Sequence, residues 1–497
     1  MGKHILVILD DAGTMSIPSF AAEDEVEFSA TMPNLATIQS KGVTFTRCYG
    51  ADACSNARSM IHTGRYAFRT GLGGNANLVA NGPPSTSETF IPEILSGYTS
   101  GVFGKWHLGT LNNGQFDSAR NACGFGTHNG ILGNIIGSDT YWYWQRWVDG
   151  TGPTYVGSSS SSRTATDYQT KVMTDDALTW LTTNGSGSNW FLELAYQAPH
   201  TPIHMPNTAA ERTAGGLSAH MTAGMETVLQ AFTDIANEVD VAANTALLNG
   251  LGWETDQFGA AAHIGMLEAV DFELGRILAH ADVDLDTDTT LWLVTDNGPI
   301  SGAVQSPYDS THGKNTHYEL GTRMPLIVAG AGVADKGKTC RRLASLTDIF
   351  VTICAMEGVS TTGLNLDGVD LRPYLADVEE PTRARDFAYS ETFDPHPEGG
   401  IASAVTGATN DSTKPLITSW TRCIRDESYK LITRMPTGPA STTGDISYEM
   451  YGFKGGDKYD ETNLIRDNLL TRAGVDHVPE LWEALQRLLA AEAALLP

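Results

Sequence analysis

Apolar runs that stop abruptly at charged residues set the pattern of this chain. ILVIL, at the N-terminus, runs straight into Asp10 and Asp11, and TLWLV, near residue 290, leads to Asp296 and Asn297. Between them, the short run in TSGVFGKWHLG closes on Lys105 and His107, and NWFLELAYQAPH closes on His200. Runs of this length, rich in Ile, Leu, Val and aromatic residues, predict buried strands. In an open parallel α/β sheet the carboxyl edge is where ligands bind. Any one of these polar clusters would serve as a turn or a helix cap; four of them, each following a strand, predict a site on one sheet edge.

The same patterning sets the organisation. Residues 1–380 carry all the strand-end clusters and are expected to form a large, mostly parallel sheet flanked by helices. One of these is AAHIGMLEAVDFELGRIL, whose apolar spacing fits an amphipathic helix, and TDIFVTICAMEG reads as another. The stretch 206–258, rich in alanine, threonine and glycine, reads as a helical insertion. From 381 to 497, short strand patterns such as SYKLITR precede a terminal helix opening near Asp476 and Pro479, with Leu481, Leu485 and Leu488 on one face. This region is expected to be a smaller C-terminal α+β subdomain. TYWYWQRWVDG gathers Tyr141, Trp142, Tyr143, Trp144 and Trp147 beside a serine-rich loop; such a cluster is either core or a platform for an aryl or sugar ring.

Composition narrows the function classes. With 497 residues the chain can bury a large core, and no run approaches a membrane span. A formal net charge of −26 speaks against nucleic acid or an anionic membrane as partner. The six cysteines, at 48, 54, 123, 340, 354 and 423, show neither a CxxC pair nor zinc spacing, so reduced, buried thiols are expected. ILVIL is too short for a signal-peptide core and is followed at once by two aspartates, so it reads as the first strand. The protein is therefore expected to be cytoplasmic, or exported with its signal absent from this sequence.

Candidate chemistry centres on ACSNARSMIHTGR, residues 53–65. In a helix, Cys54 and Arg58 share one face, and a thiol at a helix start beside a guanidinium sits where cysteine chemistry is activated. Asp10, Asp11, Asp296 and Asn297 offer only oxygen ligands, which suits a hard divalent cation, calcium first and magnesium second. Arg58, Lys105, His107, His200 and Lys314 are the opposite inventory, able to hold an anion and protonate a leaving oxygen. Metal and cations together point to an anionic ester as substrate.

CSNARSMIHTGR resembles the sulfatase signature, a cysteine or serine followed by proline two residues later and arginine four residues later, ending in TGR. The resemblance extends through LDDAG, TMPNLATIQSKGVTFTRCYG, GKWHLG, PHTPIHMP, VTDNG, GKNTHYELGTRMPLIV and YEMYGFKGGDKYDETNLI, in the family's order. It implies an alkaline-phosphatase-like fold: a large mixed, mostly parallel sheet sandwiched by helices. It also implies that Cys54 is oxidised after translation to formylglycine by a maturation enzyme, and that Asp10, Asp11, Asp296 and Asn297, with residue 54, hold calcium. By the same resemblance Arg58 orients the formylglycine hydrate and His107 is the base that regenerates the aldehyde. Lys105 and Lys314 grip the sulfate, and His200 or Lys314 protonates the leaving alkoxide. The expected reaction is hydrolysis of an aryl, alkyl or carbohydrate sulfate.

Two positions depart from the family pattern. Asn56 stands where proline or alanine is usual, a position that bears on conversion of Cys54, and His62 stands where leucine is common. Two alternatives therefore stay open: a phosphodiester or phosphonate monoester hydrolase of the same superfamily, and a silent binder of sulfated glycans if Cys54 is not modified. Relatives of the first kind tend to carry histidine where Asn297 stands, so Asn297 favours sulfate. The oligomeric state is left open.

Overall fold

A computed structural model describes residues 2–75, 88–108, 123–149, 151–161, 163–187, 189–206, 222–394, 419–435, 446–452 and 479–495. Its centre is the strand set that the apolar runs predict. β1 (Lys3–Leu9), β7 (Trp190–Tyr196) and β8 (Thr289–Thr295) are buried along nearly their whole length on both faces, as parallel strands covered on two sides must be. With β3 (Thr99–Lys105) and β4 (Thr127–Ile131) they run in the order β8-β1-β7-β3-β4, all parallel.

Antiparallel pairing sets in on both sides of this parallel centre, at β9 and at β5. β9 (Arg323–Gly330) joins β8 to β2 (Gly42–Tyr49), on which β10 (Lys338–Cys340) and β11 (Ala344–Ser345) pair; β5 (Trp144–Val148) and β6 (Thr151–Val156) form the opposite edge. The result among the described residues is an eleven-stranded mixed sheet. Helices cover both faces and enclose two separate apolar cores. The expected helix over AAHIGMLEAVDFELGRIL spans Phe258–Leu278, and that over DIFVTICAMEG spans Asp348–Glu357, ending on Gly358 in the left-handed conformation. Two further helices, Ala223–Ala236 and Val241–Gly250, lie between β7 and the Phe258 helix.

A second, four-stranded antiparallel sheet lies toward the C-terminus: β12 (Ala388–Asp394), β13 (Ser419–Arg425), β14 (Tyr429–Met435, the SYKLITR strand) and β15 (Ser447–Gly452). The helix Pro479–Leu495 buries Leu485 and Leu488. Asp476, the Leu481 side chain, residues 207–221 and most of the YEMYGFKGGDKYDETNLI motif lie outside the described residues. In the aromatic segment Tyr141, Trp142 and Trp144 are core; Tyr143, partly exposed, stacks on Tyr155 at 4.5 Å. Tyr141, Trp142 and Trp144 are therefore packing residues, with no face open to a ring. All six cysteines are free and buried, and no described helix is long and apolar enough to cross a membrane.

One buried carboxylate joins the two sheets. Glu319, just ahead of β9, accepts from Tyr49 Oη at 2.9 Å and from Lys430 Nζ at 3.2 Å; Arg425 Nε is 3.4 Å away and Arg323 Nε 4.0 Å. Burial alone would raise its pKa, but Arg425, Lys430 and Arg323 outweigh burial and hold it at about 2, against 4.5 unperturbed. A depressed carboxylate stabilises the fold above its unfolded pKa and loses that contribution as pH falls toward the folded value. Glu319→Gln, which removes the carboxylate charge that Arg425, Lys430 and Arg323 share, should therefore cost roughly 3–5 kcal/mol near neutral pH. Denaturant unfolding at neutral pH and at about pH 3 checks this: the gap between wild type and variant should narrow in acid.

Candidate active site

β8, β1, β7 and β3 are neighbours, so their carboxyl ends bring the four polar clusters to one place. Asp10 and Asp11 follow β1, Asp296 and Asn297 follow β8, Lys105 closes β3, and His200 lies four residues past β7. Local geometry makes the approach possible. A Cβ on Gly104 would lie 2.0 Å from the carbonyl oxygen of Ala195 on β7, so only glycine fits where β3 delivers Lys105. Asp11 and His107 sit at φ 62° and 56°, the left-handed region that costs non-glycine residues energy, and such strain collects at functional sites.

The signature segment forms the helix Cys54–Thr63, buried throughout and ended by Gly64 in the left-handed conformation. Cys54, Arg58 and His62 recur every four residues and share its sheet-facing side. Cys54 Sγ lies 3.3 Å from Asp10 Oδ1 and 3.9 Å from Asp11 Oδ1, and receives Lys314 Nζ at 3.3 Å. Arg58 donates through Nε and Nη2 to Asp296 Oδ2 at 3.1 and 3.0 Å, and through Nη1 to the Lys105 carbonyl at 2.7 Å. Lys105 Nζ pairs with Asp10, and Lys314 Nζ with Asp11 Oδ1 at 2.6 Å. His62, one turn deeper, lies 3.2 Å from Glu193 Oε2 on β7, both fully buried.

Charge pairing governs the protonation states. Burial would raise Asp10, but Lys105, His200, Arg58 and Lys314 hold it well below the usual carboxylate range. Burial and the Asp10 charge push Asp296 up to about 7. Burial, then Lys105 and Arg58, push His107 far down, so its imidazole is neutral, and its buried Nδ1 has no hydrogen-bond partner. His200 is lowered by burial; its Nδ1 is 2.8 Å from the Thr201 carbonyl and its Nε2 is 3.6 Å from Asp11 Oδ2.

The oxygens left over fit a cation. Asp11 Oδ2 and Asn297 Oδ1 are buried without a hydrogen-bond partner, a costly state that a metal ion would relieve. Ligand atoms of Asp10, Asp11, Cys54 and His200 lie within 4.8 Å of one another. Asp296, expected beside them, spends Oδ2 on Arg58 and Oδ1 on the backbone N–H groups of Asp11 and Asn297.

The candidate catalytic and metal-binding residues read from the sequence thus come to one edge. Sequence reasoning missed two supports. His263, whose Nε2 lies 3.1 Å from the Asp11 carbonyl, was visible only as one polar residue on an apolar helix. Tyr141, which donates to the His200 carbonyl at 2.8 Å, was hidden among its aromatic neighbours.

Comparison with known proteins points the same way. A family model described as Sulfatase matches residues 4–359. Human N-acetylgalactosamine-6-sulfatase is 25% identical over 401 residues, covering 75% of this chain and 65% of that protein; mouse arylsulfatase J is 24% identical over 381 residues, covering 74% and 55%. The chain thus spans somewhat under two thirds of the length of these relatives. Among solved structures, the putative sulfatase yidJ from Bacteroides fragilis superposes with a TM-score of 0.68 at 16% identity, covering 100% of this chain and 96% of that one. A phosphonate monoester hydrolase from Silicibacter pomeroyi superposes with a TM-score of 0.61 at 19% identity, covering 98% and 95%. The fold is therefore that of the alkaline-phosphatase-like hydrolases.

Burial, with Asp10 adding to it, drives the Cys54 thiol far above its ordinary pKa. Left as a thiol it should resist iodoacetamide at about pH 8 in the native protein, because the thiolate is the reactive form. Peptide mass after brief labelling tests this: alkylation only after unfolding is expected, and native labelling at the rate of an exposed cysteine would contradict it.

Proposed function

The chain belongs to the sulfatase family, and from that premise we propose that it hydrolyses a sulfate monoester, aryl, alkyl or carbohydrate, to the alcohol and inorganic sulfate. Carriage of Cys54 as formylglycine and of calcium at Asp10, Asp11, Asp296 and Asn297 is part of the proposal. The observation that carries it is the convergence of Arg58, Lys105 and Lys314 on Cys54 and its flanking carboxylates.

Charge counting supports an anionic substrate. Three carboxylates, Asp10, Asp11 and Asp296, face three cations, Arg58, Lys105 and Lys314, so the cluster is formally neutral by itself. A divalent ion leaves it at plus two, an attractor for an anion inside a chain of net charge −26. The buried, partnerless oxygens of Asp11 and Asn297 support a hard cation there. When bound, that ion supplies Lewis acidity toward an oxygen of the nucleophile and of the ester. Formylglycine at position 54 supplies an aldehyde hydrate as nucleophile.

Each side chain then has a chemical task. Arg58, fixed by Asp296 and the Lys105 carbonyl, orients residue 54. Lys314 Nζ, within 3.3 Å of Sγ, is placed to hold a sulfate oxygen beside the nucleophile, with Lys105 opposite across Asp10. His107 is neutral and its buried Nδ1 has no hydrogen-bond partner, which makes it the candidate base. His200, anchored through Nδ1, turns Nε2 toward Asp11, and the Lys314 ammonium is kept charged by the carboxylates around it; His200 or Lys314 is the candidate donor to the departing alkoxide.

Turnover of a chromogenic aryl sulfate beside a phenylphosphonate ester tests the reading. Sulfate should be the better substrate, and Lys314→Ala should lower kcat/KM by about 10²–10³; preference for the phosphonate would install the superfamily alternative. For the metal, calcium added to chelator-treated protein should raise the thermal midpoint, by about 2.7 kcal/mol of stability at a hundredfold excess over Kd. Asp11→Asn should abolish that shift, and a larger shift with magnesium would select magnesium instead.

A further inference from the structure

Asp52 stands two residues ahead of Cys54, in the loop between β2 and the signature helix, and is almost wholly buried. Three parts of the molecule meet on it. Its Oδ1 accepts from Thr392 Oγ1 on β12 of the C-terminal sheet and from Asn56 Nδ2, at 3.5 Å, in the first turn of the Cys54 helix. Its Oδ2 lies 3.7 Å from His317 Nδ1, and its carbonyl accepts the N–H of Asn315 at 2.8 Å. Asn315 and His317 belong to the loop that carries Lys314.

The backbone of that loop turns through the left-handed region where the Asp52 main-chain carbonyl holds it. Asn315, next to Lys314, sits there at φ 63°, and its N–H is held by that carbonyl. Asn56 completes the arrangement: Nδ2 also reaches the Glu391 carbonyl of β12 at 3.3 Å, and Oδ1 accepts the N–H of Ala57 at 3.1 Å. The residue that departs from the family signature is therefore a strut between the nucleophile helix and the C-terminal sheet. His317 is buried, and burial pushes it down to about 4, so it meets Asp52 as a neutral ring.

We propose that Asp52 is a positioning residue: its carboxylate holds the first turn of the Cys54 helix to β12 while its main-chain carbonyl holds the Lys314 loop at Asn315, so that it fixes Lys314 relative to the nucleophile and makes the C-terminal sheet part of the catalytic scaffold. The inference rests on the reading of the site as a sulfate-ester hydrolase. Asp52 touches neither substrate nor metal position; it acts through Lys314 and residue 54.

The test is a double-mutant cycle. Asp52→Asn keeps the volume and one acceptor but places an amide nitrogen where an oxygen serves its partners. With rates normalised to the fraction of residue 54 converted, it should lower kcat/KM by about 100-fold, the scale expected of a misplacement near 1 Å. In a Lys314→Ala background the same change should cost less than about tenfold, since an absent ammonium cannot be misplaced. Thr392→Val, which cuts only the arm to the C-terminal sheet, should give a smaller loss with the same non-additivity, and carries the test should Asp52→Asn not fold. Equal costs in both backgrounds, or no cost, would overturn the proposal. Amide hydrogen exchange provides a readout independent of turnover: residues 54–57 and 312–318 should exchange faster in both variants, and unchanged exchange would also overturn it. If the wild-type protein released no sulfate from any ester, the functional reading would fail while the exchange result still decided the positioning claim.

Discussion

Buried charge at the end of β1 is the constraint on which the rest of this structure depends. Asp10 and Asp11 are removed from water at the sheet edge, and an isolated carboxylate in such a place is too costly to stay ionised. Arg58, Lys105 and Lys314, from a helix, a strand end and a loop distant in sequence, converge because each is needed to offset that cost. Their mutual pairing holds Asp10 far below its usual pKa while burial and Asp10 itself push Asp296 up to about 7. The same pairing that makes the site stable makes it a place prepared for an anion once a divalent ion adds its charge.

The peripheral elements follow from that demand. The parallel strands β8, β1, β7 and β3 must end at a common level, and Gly104 gives β3 the clearance to do so beside β7. The Cys54 helix is buried on every side, with His62 against Glu193 at its deep end and Asn56 against β12 at its start. Glu319 and Asp52 repeat the theme at the seam between the sheets: Glu319 gathers donors from both sheets, and Asp52 gathers them from β12 and the Cys54 helix. The C-terminal sheet is thereby tied to the two segments that carry Cys54 and Lys314.

Much of this was legible in the sequence, for definite reasons. Buried parallel strands read as unbroken apolar runs, so ILVIL and TLWLV located β1 and β8, and the residues that follow them located the site edge. Cys54 and Arg58 were recognisable as a pair because helical spacing alone places them on one face. The aromatic segment was ambiguous, since core and binding platform share one composition, and the structure puts Tyr141, Trp142 and Trp144 in the core. Asp52 and His317 could not be found that way: they lie 265 positions apart in the numbering, and no local pattern encodes a pairing between loops. The unpartnered oxygens of Asp11 and Asn297 are likewise a property of the folded arrangement, visible only once every donor around them is placed.

The central claim is that the residue at position 54, held among carboxylates and cations, is a converted nucleophile in a sulfate-ester hydrolase. Mass spectrometry of the tryptic peptide spanning Cys54, on protein made beside a formylglycine-generating enzyme, with aryl sulfate turnover measured on the same sample, tests it most directly. An aldehyde in place of the thiol, and sulfate release that scales with the converted fraction, are expected. A peptide carrying only the unmodified cysteine in a sample that still releases sulfate, or full conversion without any turnover, would contradict it.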